Sequence, residues 1–431
     1  MHTNRHSYLV LALWSGLILI SVGCQKALRS GFITQSDIWQ TQPIADGVAD
    51  PASSIPRLRG LHCGTLEDYI PDTNRLSHFP VRYVRVNFHF MNTTDSASNY
   101  VGEEARQFVR GLLVSANQDL QKNNPSWLPR EKKLPVIPTR YQLRLTSSPD
   151  YPEAGGVYCH FDNQRFYYIH RGKNRNLYDQ EVIRRYGVQR DSVLNIFIMP
   201  HHPDSIASQT YISSGVGVAV GGTIKMAGIY ETSQPAWAYR GILNHEVGHV
   251  FSLAHSWLND GCADTPLGKN PCWNRGDAPP CDTGATNNVM EYNALQNAWT
   301  PCQIGRVHQK MADERFRYRR YLHPEWCTLR EDEPIRIQDT LVWRGSKDFS
   351  RHLLIAANAQ LRIECRVSLP PDGQITIEPG ATLILGPNAR LHNACGKNWD
   401  GIISQRMGRQ SGQLILEGDP IIEDNREPIL P

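Results

Sequence analysis

His245-Glu246-Val247-Gly248-His249-Val250-Phe251-Ser252-Leu253-Ala254-His255 carries three imidazoles and one carboxylate within eleven positions. On a helix, residues four apart share a face, so His245 and His249 project together. His255 reaches the same point only if the chain leaves the helix after His249 and turns back. Three such nitrogens suit a zinc ion, with a fourth position left to a water acidified to a pKa of about 7. Glu246 stands beside the first ligand without having to bind metal, the place of a general base that later returns the proton to a leaving amine. The spacing therefore predicts zinc-dependent hydrolysis of peptide bonds.

One position is irregular. The turn back from the helix needs positive φ, which glycine tolerates best, yet Ser252 stands there. Serine enters that region at a cost of about 1 kcal/mol.

The elements that must position these residues are partly legible. Val81–Phe90 alternates loosely and is rich in valine and aromatics, as a strand is. From Gly102 to Asn123, apolar residues recur at three- and four-residue steps, which predicts an amphipathic helix. Further strands are expected at Arg140–Leu145, Arg165–His170 and Val193–Met199. Gly215–Gly222 reads as a loop and edge strand, because no lysine-serine pair follows it as in a phosphate loop. The zinc helix is expected from Tyr239, and another helix from Pro301 to Tyr321, capped by Thr300. Arg315–Arg320 reads as its solvated face. His160, His201 and His202 have no ligand-like spacing and are expected in loops or at the surface.

In the last hundred residues, 353–363 aligns with 375–385 at an offset of 22, with apolar residues coinciding at five positions. That period predicts stacked β-coils, with a small β-sandwich as the alternative.

The chain has 431 residues and a formal net charge of +3. No basic tract interleaves aromatics, so nucleic acid is not an expected partner. An apolar run from Tyr8 to Val22 is too short for a membrane of about 30 Å and reads as an export signal over 1–23. It ends in Gly23-Cys24, which is similar to a bacterial lipobox, so Cys24 is a candidate for lipidation and for the only membrane attachment expected. Residues 24–76 read as an extended N-terminal prosegment, 77–330 as the catalytic domain and 331–431 as a small all-β module. Setting Cys24 aside leaves nine cysteines, which cannot all pair.

Two further blocks complete the pattern. Asn287-Asn288-Val289-Met290-Glu291-Tyr292 resembles a methionine turn, and with the long histidine motif this is similar to the metzincin clan. Gly261-Cys262-Ala263-Asp264-Thr265-Pro266, Asn288-Val289-Met290-Glu291-Tyr292 and Thr300-Pro301-Cys302-Gln303-Ile304 resemble the pappalysin family over roughly residues 77–325. The resemblance implies an α+β, two-lobed zinc protease with a mixed sheet and an active-site helix, acting on protein or peptide substrates. It implies Met290 as an apolar floor beneath the ligands and Tyr292 as a group approaching the metal or the developing oxyanion. Calcium bound near Asp260, Asp264 and Thr265 is also implied. No carboxylate follows in Asn293-Ala294-Leu295-Gln296, so a preference for basic residues after the scissile bond is not expected.

Family order suggests the disulfides Cys262–Cys281 and Cys272–Cys302, although four cysteines allow three connectivities. Cys365–Cys395 would staple the C-terminal module and leave Cys159–Cys327. The odd cysteine is then Cys63. Its stretch resembles a cysteine-switch prosegment, so a Cys63 thiolate is expected to occupy the open zinc position until the chain is cut; a disulfide is the alternative. A surface adhesin or binding module that keeps the protease fold without activity is the competing function.

Overall fold

The computed structural model describes residues 32–33, 63–95, 98–169, 175–207, 215–407 and 409–426. The export signal, Cys24 and most of the expected prosegment lie outside the described residues. The described residues divide into two compact units, 32–33 with 83–300, and 63–82 with 301–426. These boundaries differ from a simple prosegment–catalytic–C-terminal series, because 63–82 belongs to the second unit together with everything after Thr300.

The first unit is built on a seven-stranded mixed sheet. Its strands are β1 (Phe32–Ile33), β2 (Arg82–Asn92), β3 (Tyr141–Leu145), β4 (Val157–Phe161), β5 (Leu194–Ile198), β6 (Val216–Val220) and β7 (Thr223–Ala227). β2 runs parallel to β4 and β5, β5 parallel to β7, and β7 antiparallel to β6. All five residues of β5 are buried, which is why the segment is apolar except at Asn195 rather than alternating. The glycine-rich segment is strand β6 along its whole middle, and Gly221-Gly222 make the tight turn to β7, with Gly221 at φ 61°.

The expected strand at 165–170 does not form. Its described residues make turns and one bridge between Tyr168 and His201. β4 takes the place in the sheet, starting after Gly155 and Gly156, whose φ values of 60° and 82° reverse the chain.

Helix α1 (Gly102–Lys122) buries Ala105, Val109, Leu112, Leu113, Ala116 and Leu120, the stripe that the sequence period marks. Glu103 and Glu104 in its first turn and Lys122 in its last complement the helix dipole. Helix α2 spans Arg175–Tyr186. Helix α3 (Arg240–Val250) is buried from Gly241 to Val250. α1 holds it: Asn244 Nδ2 donates to the Ala116 carbonyl at 3.1 Å, and Arg240 Nε pairs with Asp119 at 2.9 Å.

The second unit contains helix α4 (Pro301–Ala312) and a parallel β-solenoid. Each coil supplies one strand to each of three four-stranded sheets. The first coil has β8 (Ile335–Ile337), β9 (Thr340–Trp343) and β10 (Lys347–Asp348). The second has β11 (Leu353–Ile355), β12 (Gln360–Ile363) and β13 (Arg366–Ser368). The third has β14 (Gln374–Ile377), β15 (Thr382–Leu385) and β16 (Arg390–His392). The fourth begins with β17 (Gly401–Ser404), is interrupted by a hairpin of β18 (Arg406–Met407) and β19 (Gln410–Ser411), and closes with β20 (Gln413–Leu416) and β21 (Ile421–Ile422).

The pairing of Leu353 with Ile375 and of Leu361 with Leu383 has the offset of 22 (375 − 353 and 383 − 361) read from the sequence. Inward residues stack into one dry core that includes Leu353, Ile355, Leu361, Ile363, Ile375, Ile377, Leu383 and Leu385. This excludes the sandwich alternative.

Two expectations about the second unit are corrected. α4 ends at Ala312 rather than Tyr321, and 317–321 forms a separate 3-10 turn. Arg319 is 8 % exposed rather than solvated: it pairs with buried Asp348 at 3.0 Å and lies over Trp326. Arg82 and Arg366 surround the same carboxylate and hold it well below the usual range, against the opposing effect of burial.

The cysteines pair differently from the family-based scheme. Cys63 is bonded to Cys365, Cys272 to Cys281 and Cys327 to Cys395. Cys262 and Cys302 are also disulfide-bonded, and among the described residues the free thiol is Cys159, on β4. The latch expected at Cys63 is therefore overturned. Tyr69 reinforces the staple, its hydroxyl donating to the Cys63 carbonyl at 3.0 Å and accepting from the Ser346 N–H at 3.1 Å.

Among the described residues no helix is long and apolar enough to cross a membrane.

Candidate metal centre

α3 ends in a tight reversal that explains the spacing of the three histidines. Ser252 adopts φ 69°. Its N–H donates to the His249 carbonyl at 3.0 Å, and Leu253 N–H donates to the Gly248 carbonyl at 2.9 Å. This is the Schellman pattern, closed by the Leu253 side chain packing back toward Gly248. Serine thus occupies the left-handed position that the sequence requires there.

The reversal also presents the Leu253 carbonyl to His249, whose Nδ1–H donates to it at 2.8 Å. His245 Nδ1–H donates to the Val289 carbonyl at 2.6 Å. A proton held on each Nδ1 leaves the lone pair of each ring on Nε2. Burial, reinforced by the neighbouring imidazoles, holds His245 well below its ordinary pKa, and burial lowers His249 to about 4. Both rings are therefore neutral at neutral pH, and each can offer its Nε2 lone pair to a metal ion.

His255 arrives from the loop, and the ligand atoms of His245, His249 and His255 all lie within 4.8 Å of one another. His249 Nε2 and His255 Nε2 face each other at 3.3 Å. Two nitrogens at about 2.05 Å from the centre of a tetrahedron stand about 3.3 Å apart, so the donor set suits zinc.

Glu246 follows His245 on the helix and is fully buried. It lies against strand β6, where a Cβ on Gly217 would stand 2.7 Å from the glutamate's Cγ and Oε1. Gly248, between the two helical histidines, has a similar role. A Cβ there would stand 2.6 Å from Met290 Sδ, so the buried methionine packs directly beneath the helix. Neither glycine was singled out by sequence reasoning, although Gly248 lies inside the motif.

The loop carrying Met290 is shaped by its own amides. Asn288 Oδ1 accepts the Met290 N–H at 2.9 Å, and Asn293 Oδ1 accepts those of Leu295 and Gln296 at 2.9 and 2.7 Å. Gln296, at φ 43°, donates to the Glu291 carbonyl at 2.9 Å. Tyr292 brings its ring to 5.2 Å from His255 and 6.2 Å from His245, centroid to centroid. Trp257, which belongs to none of the sequence motifs, stacks on His255 at 4.1 Å.

At the expected calcium loop, Asp260 Oδ1 accepts the Cys262 N–H at 2.9 Å and its Oδ2 accepts the Thr265 hydroxyl at 2.9 Å. Those oxygens are used to fold the turn.

His160 is not a loop residue as expected. It lies on β4, and its Nε2–H donates to Nδ1 of buried His89 at 2.9 Å. His201 and His202 lie just beyond β5 in irregular backbone, as read.

Among solved structures, the chain is similar to Tannerella forsythia mature mirolysin in complex with a cleaved peptide, with a TM-score of 0.38 and 14 % identity over 56 % of this chain and 95 % of that one. It is similar to mirolysin in complex with compound 9, with a TM-score of 0.37 and 14 % identity over 56 % and 96 %. A Tannerella forsythia promirolysin mutant gives a TM-score of 0.39 and 14 % identity over 59 % and 85 %. No family model and no curated protein matches the chain.

Proposed function

We propose that this chain is a zinc endopeptidase of pappalysin type. The observation that carries the reading is the convergence of three imidazoles, two of them oriented by backbone carbonyls, beside a buried glutamate on the same helix. A zinc ion bound there would supply Lewis acidity and a water of pKa about 7.

The chain's own residues would do the rest. Glu246, confined by Gly217, takes a proton from the attacking water and returns it to the departing amine. Tyr292 offers its hydroxyl to the developing oxyanion. A cavity of about 170 Å³ beside the start of α3, lined in part by Gly215, Tyr239, Ile242, Trp273 and Leu295, receives a substrate side chain. The substrate is a protein or a peptide. Calcium has no assigned role, because both Asp260 oxygens already fold their own turn.

Export belongs to the same proposal. The paired cysteines suit an oxidising compartment, and the apolar run ending at Cys24 would direct the chain there and supply a lipid anchor.

Purified chain tests the reading through zinc content and cleavage of a peptide mixture, with Glu246→Gln beside the parent. The expected result is one zinc per chain in both proteins and cleavage only by the parent. Zinc without cleavage in the parent would instead favour a binding module.

A further inference from the structure

His255 differs from the other two imidazoles in how it is carried. His245 and His249 sit on a buried helix, whereas His255 sits on the loop that follows the reversal at Ser252. That loop is drawn into a turn in which Leu258 N–H donates to the His255 carbonyl at 3.0 Å, and Ser256 N–H donates to the Met290 carbonyl at 3.2 Å. The turn folds Trp257 back over the ring two residues before it. The indole and imidazole centroids stand 4.1 Å apart with planes only 11° from parallel. Tyr292 closes against the edges of both, at 4.8 Å from Trp257 and 5.2 Å from His255, steeply inclined to each. Lys269 Nζ lies 6.0 Å from the Trp257 centroid.

We infer that Trp257 is the positioning residue for the third zinc ligand, fixing the plane of His255 by stacking on its face. The inference rests on the zinc-site reading above. Two physical arguments support it. A parallel ring contact at this separation resists rotation of the imidazole about its Cβ–Cγ bond, which is the freedom that would carry Nε2 away from His249 Nε2. An imidazole that donates its lone pair to a divalent cation becomes electron-poor, and the negative face of an indole attracts such a ring. The stack is therefore stronger in the loaded site than in the empty one, and the difference appears as metal affinity. Residues that orient a ligand in this way typically contribute about 10- to 100-fold to metal binding.

The test uses the full chain and zinc alone as the probe, in competition with a chromophoric chelator. Trp257→Phe keeps a ring on His255, and Trp257→Leu and Trp257→Ala remove it. The zinc dissociation constant is expected to rise about tenfold in the Leu and Ala variants and to stay within about threefold of the parent in the Phe variant. Equal affinity in parent and Leu variant overturns the inference, as does a Phe variant as weak as Leu. Because Leu and Phe both fill the site, the comparison stands even if Trp257→Ala does not fold. His249→Ala is measured alongside: if it leaves zinc binding unchanged, zinc does not use this site, and the proposed function falls together with the inference.

Discussion

Gly217 and Glu246 are in contact across the gap between strand β6 and helix α3, so closely that one methyl group on the glycine would stand 2.7 Å from the glutamate carboxylate. The contact sets the candidate base on the helix directly against the sheet. A Cβ at 217 would also meet Ile242 Cγ2 at 2.8 Å, so the carboxylate has to move.

Gly217→Ala is therefore expected to lower kcat/KM on a peptide substrate by about 100-fold, the usual effect of a reacting group displaced by about 1 Å. Zinc content should be unchanged, because the atoms nearest a Cβ at 217 belong to Glu246 and Ile242 rather than to an imidazole. Unaltered turnover in a folded, zinc-loaded Gly217→Ala chain would show that Glu246 is not held by this contact.

Gly248→Ala reverses a common rule. In an ordinary helix interior the change gains about 1 kcal/mol. Here the new methyl meets Met290 Sδ at 2.6 Å, and overpacking costs about 1–3 kcal/mol. A net loss of about 1 kcal/mol is expected in denaturant unfolding. A gain in stability would mean that Met290 moves aside without cost.

Ser252→Gly should leave activity intact. It relieves the left-handed serine at φ 69°, while a more flexible unfolded chain offsets part of the gain. The expected stabilisation is below about 1 kcal/mol, and loss of zinc in this variant would contradict the backbone account.

Cys63→Ala should destabilise the second unit and not raise proteolytic activity. The Cys63–Cys365 bond spans 302 residues, and such cross-links contribute about 2–4 kcal/mol, mostly through the unfolded state. Peptide mapping without reduction should recover Cys63 joined to Cys365. Greater proteolytic activity in Cys63→Ala than in the parent would bring back the latch.

Stability should fall on the acid side because of His89 and His160. Nε2–H of His89 donates to Asn87 and Asn195 while its Nδ1 accepts from His160. Burial pushes His89 well below its ordinary value and His160 down to about 4. Both are neutral when folded, whereas the unfolded imidazoles take up protons below about 6.5. The folded state is thus fully favoured above pH 6.5 and loses stability as pH falls toward 4. His160→Gln should reduce the slope in that window by about 1.4 kcal/mol per pH unit. An unchanged slope would place the acid sensitivity elsewhere.

The sequence by itself determined the features that are local or periodic. Four-residue spacing puts His245 and His249 on one helical face, and the return of His255 demands the left-handed position that Ser252 fills. A 22-residue period gives the solenoid register, because each coil buries its apolar face only against a copy of itself. The apolar stripe of α1 likewise names its own buried side.

Contacts between distant segments were decided only in the tertiary structure. Cys63 has no sequence feature that points to Cys365, and pairing by family order joined the wrong cysteines, since a disulfide depends on where two Cβ atoms come to rest. Arg319 reads as a solvated charge until Asp348 is folded beside it. Gly217, Gly248 and Trp257 have no motif of their own. Their importance comes from what stands opposite, a carboxylate, a thioether and an imidazole, brought within contact distance when sheet, helix and loop close around one point.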